Sequence, residues 1–370
     1  MSSSTTISVL MISSRADYGG GPEHVYRLIQ NLKGRCRIYA AIPNDKPYFG
    51  KISRLIGTAS TLTIPHRKFS AAALSAMVTF IKKNNIRIVH SHGKGAGTYS
   101  RLAAFLTGAK CVHTFHGIHT EKYNASGSLG YRMYEKISSF FTHSFIATGD
   151  GELARIKKFG FAPLNKITLI KNGVNIPERF AGFPESNGIN LLTITRNDPV
   201  KNPALLIPIL KELTGLLPNH KIMLNIVGHG FEDGGLASLF DAAGLSQNYT
   251  LLPPLPELTD VFLSSFCYLS TSKMEGLPLS VLEAQSYGLP CVVTDVPGNA
   301  DIVTNKVNGY LFRPENPEDA ARAIAGLTAD RELWNLLSEN SKNYIKQNFS
   351  VQKMADSVYT LYASLTGTRP

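Results

Sequence analysis

The sequence predicts two α/β domains, each with a parallel β-sheet covered by helices on both faces. Three observations support this prediction. A chain of 370 residues is too long for one ordinary hydrophobic core. Short apolar runs alternate with helix-spaced amphipathic segments along most of its length. The composition, 43% hydrophobic and 18% charged, is that of a globular protein and excludes an intrinsically disordered chain.

Apolar runs followed by loops predict the strands of the first half. They are ISVLMI (7–12), RIYAAIP (37–43), IRIVHSH (86–92), KCVHTFHG (110–117) and HSFIATG (143–149). Helices are predicted between them, among them PEHVYRLIQNL (22–32), with Pro22 at its start, and AAALSAMVTFIKKN (71–84). Strands that alternate with helices form parallel sheets.

The second half repeats the scheme. Its predicted strands are NLLTITR (190–196), KIMLNIVGHG (221–230), YTLLPP (249–254), CYLSTS (267–272) and PCVVTD (290–295). The segment 172–188 contains Gly, Pro and Asn without periodicity, which predicts an interdomain linker. Residues 351–365 have the spacing of an amphipathic helix.

The segment EGLPLSVLEAQSYGLPCVVTD (275–295) carries the most specific chemical pattern. Gly276 lies in a turn just before a helix that is predicted to start near Leu279. The unpaired N–H groups at a helix start bind phosphate. Glu283, about one turn into the helix, can accept hydrogen bonds from two ribose hydroxyls, and Glu275 is expected at the strand end. Taken alone, the two glutamates also fit a solvent-facing residue and one that complements the helix dipole.

The whole segment resembles the E-x7-E motif of glycosyltransferase family 4, which comprises retaining enzymes with two Rossmann-like domains, the GT-B fold. The resemblance extends over nearly the full chain. The other matching segments are DYGGGPEHVYRL (17–28), VHSHG (89–93), HTFHGIH (113–119), TRNDPVKN (195–202) and IVGHGFEDGGL (226–236).

This resemblance implies two facing Rossmann-like domains with parallel sheets and an interdomain cleft. We expect an acceptor-side domain at 1–175, a nucleotide-sugar-binding domain at 186–350, and a helix at about 351–370 that packs back on the first domain. Asn202 and Thr195 stand where the family usually has glycine, and both put the local backbone shape in question.

The resemblance also implies the site residues. Arg196 and Lys201 match the cations that bind the donor diphosphate, and His116 matches the histidine that contacts the donor sugar. With Glu275 these form the predicted catalytic set. The predicted donor-binding residues are Gly20, Gly21, Arg196, Lys201, Gly276, Leu277, Pro278, Leu279, Ser280 and Glu283.

The implied function is retaining transfer of a sugar from a nucleotide-sugar, with a UDP-sugar as the expected donor, to a glycan or lipid-linked glycan in surface-polysaccharide biosynthesis. No second carboxylate is evidently placed as a nucleophile, so we expect front-side displacement. A two-lobed UDP-sugar epimerase and a transferase with a small soluble acceptor are the alternatives.

No cofactor or metal is expected. The sequence has no Asp-x-Asp, no G-x-x-x-x-G-K-[ST] and no G-x-G-x-x-G, which argues against a metal-bridged diphosphate, a P-loop and a dinucleotide. A zinc site at His113, His116 and His119 is the alternative. Every-third spacing does not put three side chains on one face of a strand, so it is not favoured.

The charge is divided unevenly. Residues 1–175 hold 24 Lys and Arg against 7 Asp and Glu, whereas residues 176–370 hold 14 against 20. We expect the basic domain to attach peripherally to the anionic inner face of the membrane, because stretches such as 69–83 and 131–141 mix apolar and basic residues. A basic domain that merely attracts the anionic donor is the alternative.

No nucleic-acid-binding signature accompanies the charge. Four separated cysteines favour free thiols in the cytoplasm.

Overall fold

A computed structural model describes residues 6–118, 125–185 and 188–368. The chain divides into two compact units. The first unit comprises Met1–Gly173 and Val351–Pro370, and the second comprises Val174–Ser350. The corresponding ranges expected from the sequence are 1–175 with the C-terminal helix, and 186–350.

The described part of the first unit contains a seven-stranded sheet in which every pairing is parallel. Its strands are β1 (Ile7–Ser13), β2 (Cys36–Ile42), β3 (Thr61–Thr63), β4 (Ile88–His92), β5 (Lys110–Thr114), β6 (Ser144–Ala147) and β7 (Ile167–Leu169). They lie in the order β3-β2-β1-β4-β5-β6-β7. Strands β1, β4 and β5 are central, and their side chains are almost wholly buried because helices cover both faces.

Helices connect these strands. They are α1 (Gly20–Leu32), α2 (Tyr48–Ile56), α3 (Ala71–Lys83), α4 (Lys94–Thr107), α5 (Ala125–Ser138) and α6 (Asp150–Phe159). The C-terminal helix, numbered α14 in chain order (Val351–Thr366), also belongs to this unit. Its buried face, which includes Met354, Val358 and Tyr362, packs in one cluster with Met11 of β1 and Val25 of α1.

The start of α1 differs from the prediction. The sequence places Gly20 and Gly21 before a helix that begins with Pro22, whereas the helix begins at Gly20. Proline lacks an N–H, but no N–H in a first helical turn has an intrahelical partner, so Pro22 fits as the third residue as well as the first. Gly20 and Gly21 therefore form the first turn itself.

The described part of the second unit contains a six-stranded parallel sheet in the order β10-β9-β8-β11-β12-β13. Its strands are β8 (Gly188–Arg196), β9 (Lys221–His229), β10 (Tyr249–Leu252), β11 (Cys267–Ser270), β12 (Cys291–Thr294) and β13 (Gly309–Phe312). Its helices are α7 (Leu206–Leu216), α8 (Gly235–Ala242), α9 (Thr259–Leu263), α10 (Leu279–Ser286), α11 (Pro297–Ala300), α12 (Pro317–Ala329) and α13 (Arg331–Asn348).

All ten predicted strands are present, and the α/β class with parallel sheets is confirmed. The four cysteines are buried free thiols, as expected. Within the described residues, no helix is both long and apolar enough to cross a membrane.

Candidate active site

Two loops meet at the carboxyl edge of the second unit's sheet, because the neighbouring strands β8 and β11 are parallel and end on the same side. The hydroxyl of Thr271 donates to the carbonyl of Lys201 at 3.1 Å. The backbone N–H of Lys273 donates to the carbonyl of Val200 at 2.8 Å. These bonds fix the loop after β8 against the loop after β11.

An ion pair joins two predicted catalytic residues across these loops. Lys201 Nζ lies 2.6 Å from Glu275 Oε1, and the two side chains are 23% and 11% exposed. Glu275 was expected at the strand end. It lies instead in the loop five residues beyond Ser270, where β11 ends, and the loop carries it to the lysine. Arg196, the last residue of β8, keeps its guanidinium 3.6 Å from Asp198 Oδ2.

Asn202, which stands where the family usually has glycine, adopts the backbone conformation that a glycine would have there. Asn202 has φ 51° and ψ 50°, the left-handed conformation that glycine adopts freely. Asparagine is one of the few other residues that tolerate it. The turn is closed by Asp198, whose Oδ1 accepts from the N–H of Val200 at 2.8 Å. Lys201 therefore keeps its place although the family's usual glycine is absent.

Helix α10 begins at Leu279, as predicted, directly after the Glu275–Pro278 turn. Pro278 is extended, and no side chain caps the helix start. The side chains of Leu277 and Leu279 are buried and hold the turn against the core. The first N–H groups of the helix have no intrahelical acceptor, which is the arrangement that binds phosphate.

The remaining predicted donor residues lie on α10. Ser280 lies near the buried phenol of Tyr268, whose hydroxyl donates to the carbonyl of Ile194 at 3.4 Å, and burial raises the pKa of Tyr268. Glu283 is half-buried in the second turn of the helix.

Gly298 supports the Glu275 turn and was not identified from the sequence. A Cβ at Gly298 would lie 2.6 Å from the carbonyl oxygen of Gly276 and 2.8 Å from Glu275 Cβ. Only glycine permits this approach. Buried Asn299 follows and donates to the carbonyl of Thr294 at 2.9 Å. The Pro297–Gly298 pair after a predicted strand was the available signal.

In the first unit, His116 lies two residues beyond the end of β5 with φ 57°. Its Nε2 is 3.1 Å from Nδ1 of His92, the last residue of β4. The ring of His24, on α1, contacts His116 edge-on with centroids 4.5 Å apart. Three elements thus bring histidines together at the carboxyl edge, and His24 lies one turn beyond Gly20 and Gly21. A Cβ at Gly21 would meet nothing within 4 Å.

Glu152 holds the turn that carries His116. Glu152 is buried in the first turn of α6, and one carboxylate oxygen accepts from the N–H of Gly117. The other oxygen accepts from the N–H and the hydroxyl of Thr148, at 2.7 and 3.0 Å. Burial raises the pKa of Glu152, against the effect of these donors. The left-handed backbone of His116 is therefore fixed by a hydrogen bond at the next residue.

The clustered histidines are neutral near pH 7. Burial lowers the pKa of His24 to about 4. Burial, followed by neighbouring imidazoles, holds the pKa of His92 and His116 well below the ordinary range. A neutral imidazole offers one donor and one acceptor, which suits a sugar hydroxyl.

Among the described residues, His24, His92 and His116 place one nitrogen each within 4.8 Å of one another. Neutral imidazoles are ligands that zinc accepts, but the contact between His92 and His116 already uses one ring proton. The zinc site considered from the sequence consisted of His113, His116 and His119, of which only His116 belongs to this group. His113 bonds Ser91 at 2.9 Å and packs on Phe115 within the core, and position 119 lies outside the described residues.

His90 is a buried core histidine whose two ring nitrogens are both hydrogen-bonded. Its two ring nitrogens contact the hydroxyls of Tyr362 and Thr114, at 2.5 and 2.8 Å. It thereby ties α14 to the centre of the first sheet. His113 has one hydrogen-bonded nitrogen, whereas its Nε2 is buried without a hydrogen-bond partner.

Two parallel-sheet units, each with polar residues at the carboxyl edge, have the architecture of a GT-B glycosyltransferase. The profile of glycosyltransferase family 4 matches residues 18–177, and that of glycosyl transferases group 1 matches residues 176–344.

A relative from Escherichia coli, UDP-Gal:alpha-D-GlcNAc-diphosphoundecaprenol alpha-1,3-galactosyltransferase, is 30% identical over 312 residues, 79% of each chain. The chain belongs to the family 4 glycosyltransferases.

Solved structures confirm the fold. HepE from Anabaena, in complex with UDP and glucose, matches with a TM-score of 0.84 at 16% identity, over 97% of this chain and 100% of that one. Sucrose-phosphate synthase from Thermosynechococcus elongatus matches with a TM-score of 0.82 at 19% identity, over 98% and 100%. The comparisons together support a glycosyltransferase rather than the epimerase alternative.

Proposed function

We propose that the protein is a retaining, metal-independent glycosyltransferase that moves a hexosyl or N-acetylhexosaminyl group from a UDP-sugar to a lipid-linked glycan in surface-polysaccharide biosynthesis. The Escherichia coli relative is named for a UDP-sugar donor and a diphosphoundecaprenol-linked acceptor. The related HepE structures contain UDP and UDP-glucose. These names support the donor and acceptor classes.

One observation carries the proposal. Lys201, paired with Glu275 at 2.6 Å, lies in the loop next to the one that leads into the uncapped start of α10. A lysine, an arginine at the end of β8 and a row of free N–H groups are complementary to a diphosphate. In this arrangement Arg196 and Lys201 supply the charge that a metal ion provides in other transferases.

These groups define the proposed chemistry. The bond between the anomeric carbon and the diphosphate oxygen breaks while the acceptor oxygen attacks the same face. The departing diphosphate takes the acceptor proton. Arg196, Lys201 and the α10 amides stabilise the leaving negative charge, which is electrostatic catalysis. Neutral His116 binds a hydroxyl of the transferred sugar, and Glu275 positions Lys201 and the sugar.

The second candidate function is transfer to a small soluble acceptor. The fold likeness to sucrose-phosphate synthase supports this candidate. In that case the basic first unit attracts the anionic donor. With a lipid-linked acceptor, the protein works in the cytoplasm at the inner face of the membrane.

The test is a panel of UDP-, GDP- and ADP-sugars incubated with the protein, first alone and then with a diphosphopolyprenol-linked sugar. We expect slow release of UDP from a UDP-sugar alone, and faster release with the lipid-linked acceptor. Interconversion of the free donor sugars without release of nucleotide would overturn the proposal.

A further inference from the structure

Exposed large apolar side chains are concentrated on one part of the first unit. Phe140 is 82% exposed and Phe105 is 69% exposed. We call the exposed apolar residues of α4, α5 and the turn after α5 the apolar ridge. They are Leu102, Phe105, Leu106, Leu129, Met133, Ile137, Phe140 and Phe141.

The ridge has helical spacing. On α5, Leu129, Met133 and Ile137 follow one another at four-residue intervals and so lie on one face. On α4, the exposed side chains beyond Ser100 are Leu102, Phe105 and Leu106. A surface helix normally presents polar residues on this outward face. Large exposed apolar patches commonly mark interaction sites.

The ridge is held in place by buried contacts beneath it. Arg101 of α4 and Glu135 of α5 form a buried ion pair at 2.7 Å. The rings of Phe105 and Phe141 meet edge-to-face with centroids 5.4 Å apart. Lys166 Nζ donates at 2.9 Å to two carbonyls that flank the Phe140–Phe141 turn. These contacts hold α4, α5 and the turn after α5 together, with Phe105 beside Phe141.

Cations border this surface. Arg132 and Lys136 are exposed on α5 between the ridge residues. At the end of α4, a cavity of about 560 Å³ is lined by Lys82, Arg87 and Lys110. Near Phe141, burial lowers the pKa of His143, and the positive charges of Lys110 and Lys166 lower it further. The local potential around the ridge is thus positive.

We propose that the apolar ridge inserts into the headgroup region of an anionic bilayer, with the bordering cations on lipid phosphates. This inference rests on the proposed lipid-linked acceptor and names the surface that reaches it. Aromatic and aliphatic residues interleaved with cations fit an anionic lipid surface. A second copy of this chain would bring Arg132 and Lys136 against their own like charges.

The ridge extends toward the histidine edge of the sheet. Lys94, the first residue of α4 after β4, lies 4.2 Å from the ring centroid of Tyr131 on α5. The first turns of α5, with Leu129, are therefore close to the edge where β4 ends at His92. Insertion of the ridge brings this edge toward the membrane surface, where a lipid-linked acceptor lies.

Vesicle flotation of the full chain tests the proposal. Charge alone predicts attachment that disappears at high salt. The ridge predicts binding to phosphatidylglycerol-containing vesicles that partly survives about 1 M salt, where the screening length falls to about 3 Å. The double variant F105S/F140S should bind these vesicles roughly tenfold or more weakly, because two aromatic side chains no longer leave water. Its matched control, L239S/L336S, removes two exposed leucines of the second unit and should bind like the wild type.

Cation variants complete the test. R132E/K136E should lose the preference for anionic over zwitterionic vesicles, whereas K211E/K346E, on the second unit, should keep it. Unchanged flotation of F105S/F140S overturns the proposal. A second result would also overturn it: the wild type does not bind vesicles and sediments as a dimer, and F105S/F140S dissociates that dimer. The ridge would then be an interface between copies of the chain.

Failure of the proposed function has a different signature. The ridge variants should keep wild-type affinity for UDP and wild-type turnover with a detergent-solubilised acceptor, and lose turnover with vesicle-embedded acceptor. If neither the wild type nor the variants turn over a lipid-linked acceptor, the proposed function fails. Vesicle flotation still decides the role of the ridge in that case.

Discussion

Replacing Lys201 by alanine tests the donor diphosphate site most sharply. The ammonium is held 2.6 Å from Glu275, so its position is set before the donor arrives. A charged hydrogen bond to the diphosphate contributes roughly 1.5–3 kcal/mol, so UDP affinity should fall about tenfold or more. Isothermal titration calorimetry with UDP measures the change.

The effect on stability should be small by comparison. The Lys201–Glu275 pair is partly exposed, at 23% and 11% of the two side chains. Such a pair contributes about 1 kcal/mol or less once solvent screening is included. We therefore expect a lysine variant that melts within a few degrees of the wild type and binds UDP weakly.

Lys273 provides a matched control, because it is an exposed lysine of the adjoining loop with no assigned role. Lys273→Ala should bind UDP within about twofold of the wild type. Wild-type UDP affinity in a folded Lys201→Ala variant would refute the assignment of the diphosphate site.

Three further predictions follow from the site. Glu283→Ala should weaken binding of UDP itself, whereas Glu275→Ala, which leaves the charge of Lys201 in place, should lower sugar-dependent turnover far more than UDP affinity; the reverse pattern would show that the roles are exchanged. Activity should survive EDTA; loss on chelation and recovery with Zn²⁺ would assign a metal to His24, His92 and His116. The folded pKa of His24, about 4, lies below its unfolded value of about 6.5. Acidification through this range should therefore remove roughly 3 kcal/mol of stability through His24, and pH-independent urea unfolding from pH 7 to 4 would contradict this.

The sequence predicts every interior strand but, of the four edge strands, only β10. β1, β4 and β5 are buried on both faces, and each contains adjacent apolar residues: Val9–Ile12, Ile88–Val89 and Cys111–Val112. The strands that were missed, β3, β7 and β13, lie at the edges of their sheets and have three or four residues each. β3 and β7 have no buried residue and β13 has two, so none of the three carries a long apolar run.

The same limit applies to the site. The motif around Glu275 identifies the turn and the start of α10 because local sequence determines both. The pairing of Lys201 with Glu275 spans 74 residues and depends on which strands are neighbours. Glu152 reaches Gly117 across 35 residues, and His24 joins His116 from another element. Such contacts depend on strand order, which one sequence does not specify.

The most direct measurement for the central claim is the anomeric configuration of the product. The protein is incubated with the UDP-sugar that the donor panel selects and a diphosphopolyprenol-linked sugar, and the new linkage is assigned by NMR. A retaining, metal-independent transferase forms an α-linked product from an α-configured UDP-sugar in the presence of EDTA. A β-linked product, or turnover only with an added metal ion, would contradict it.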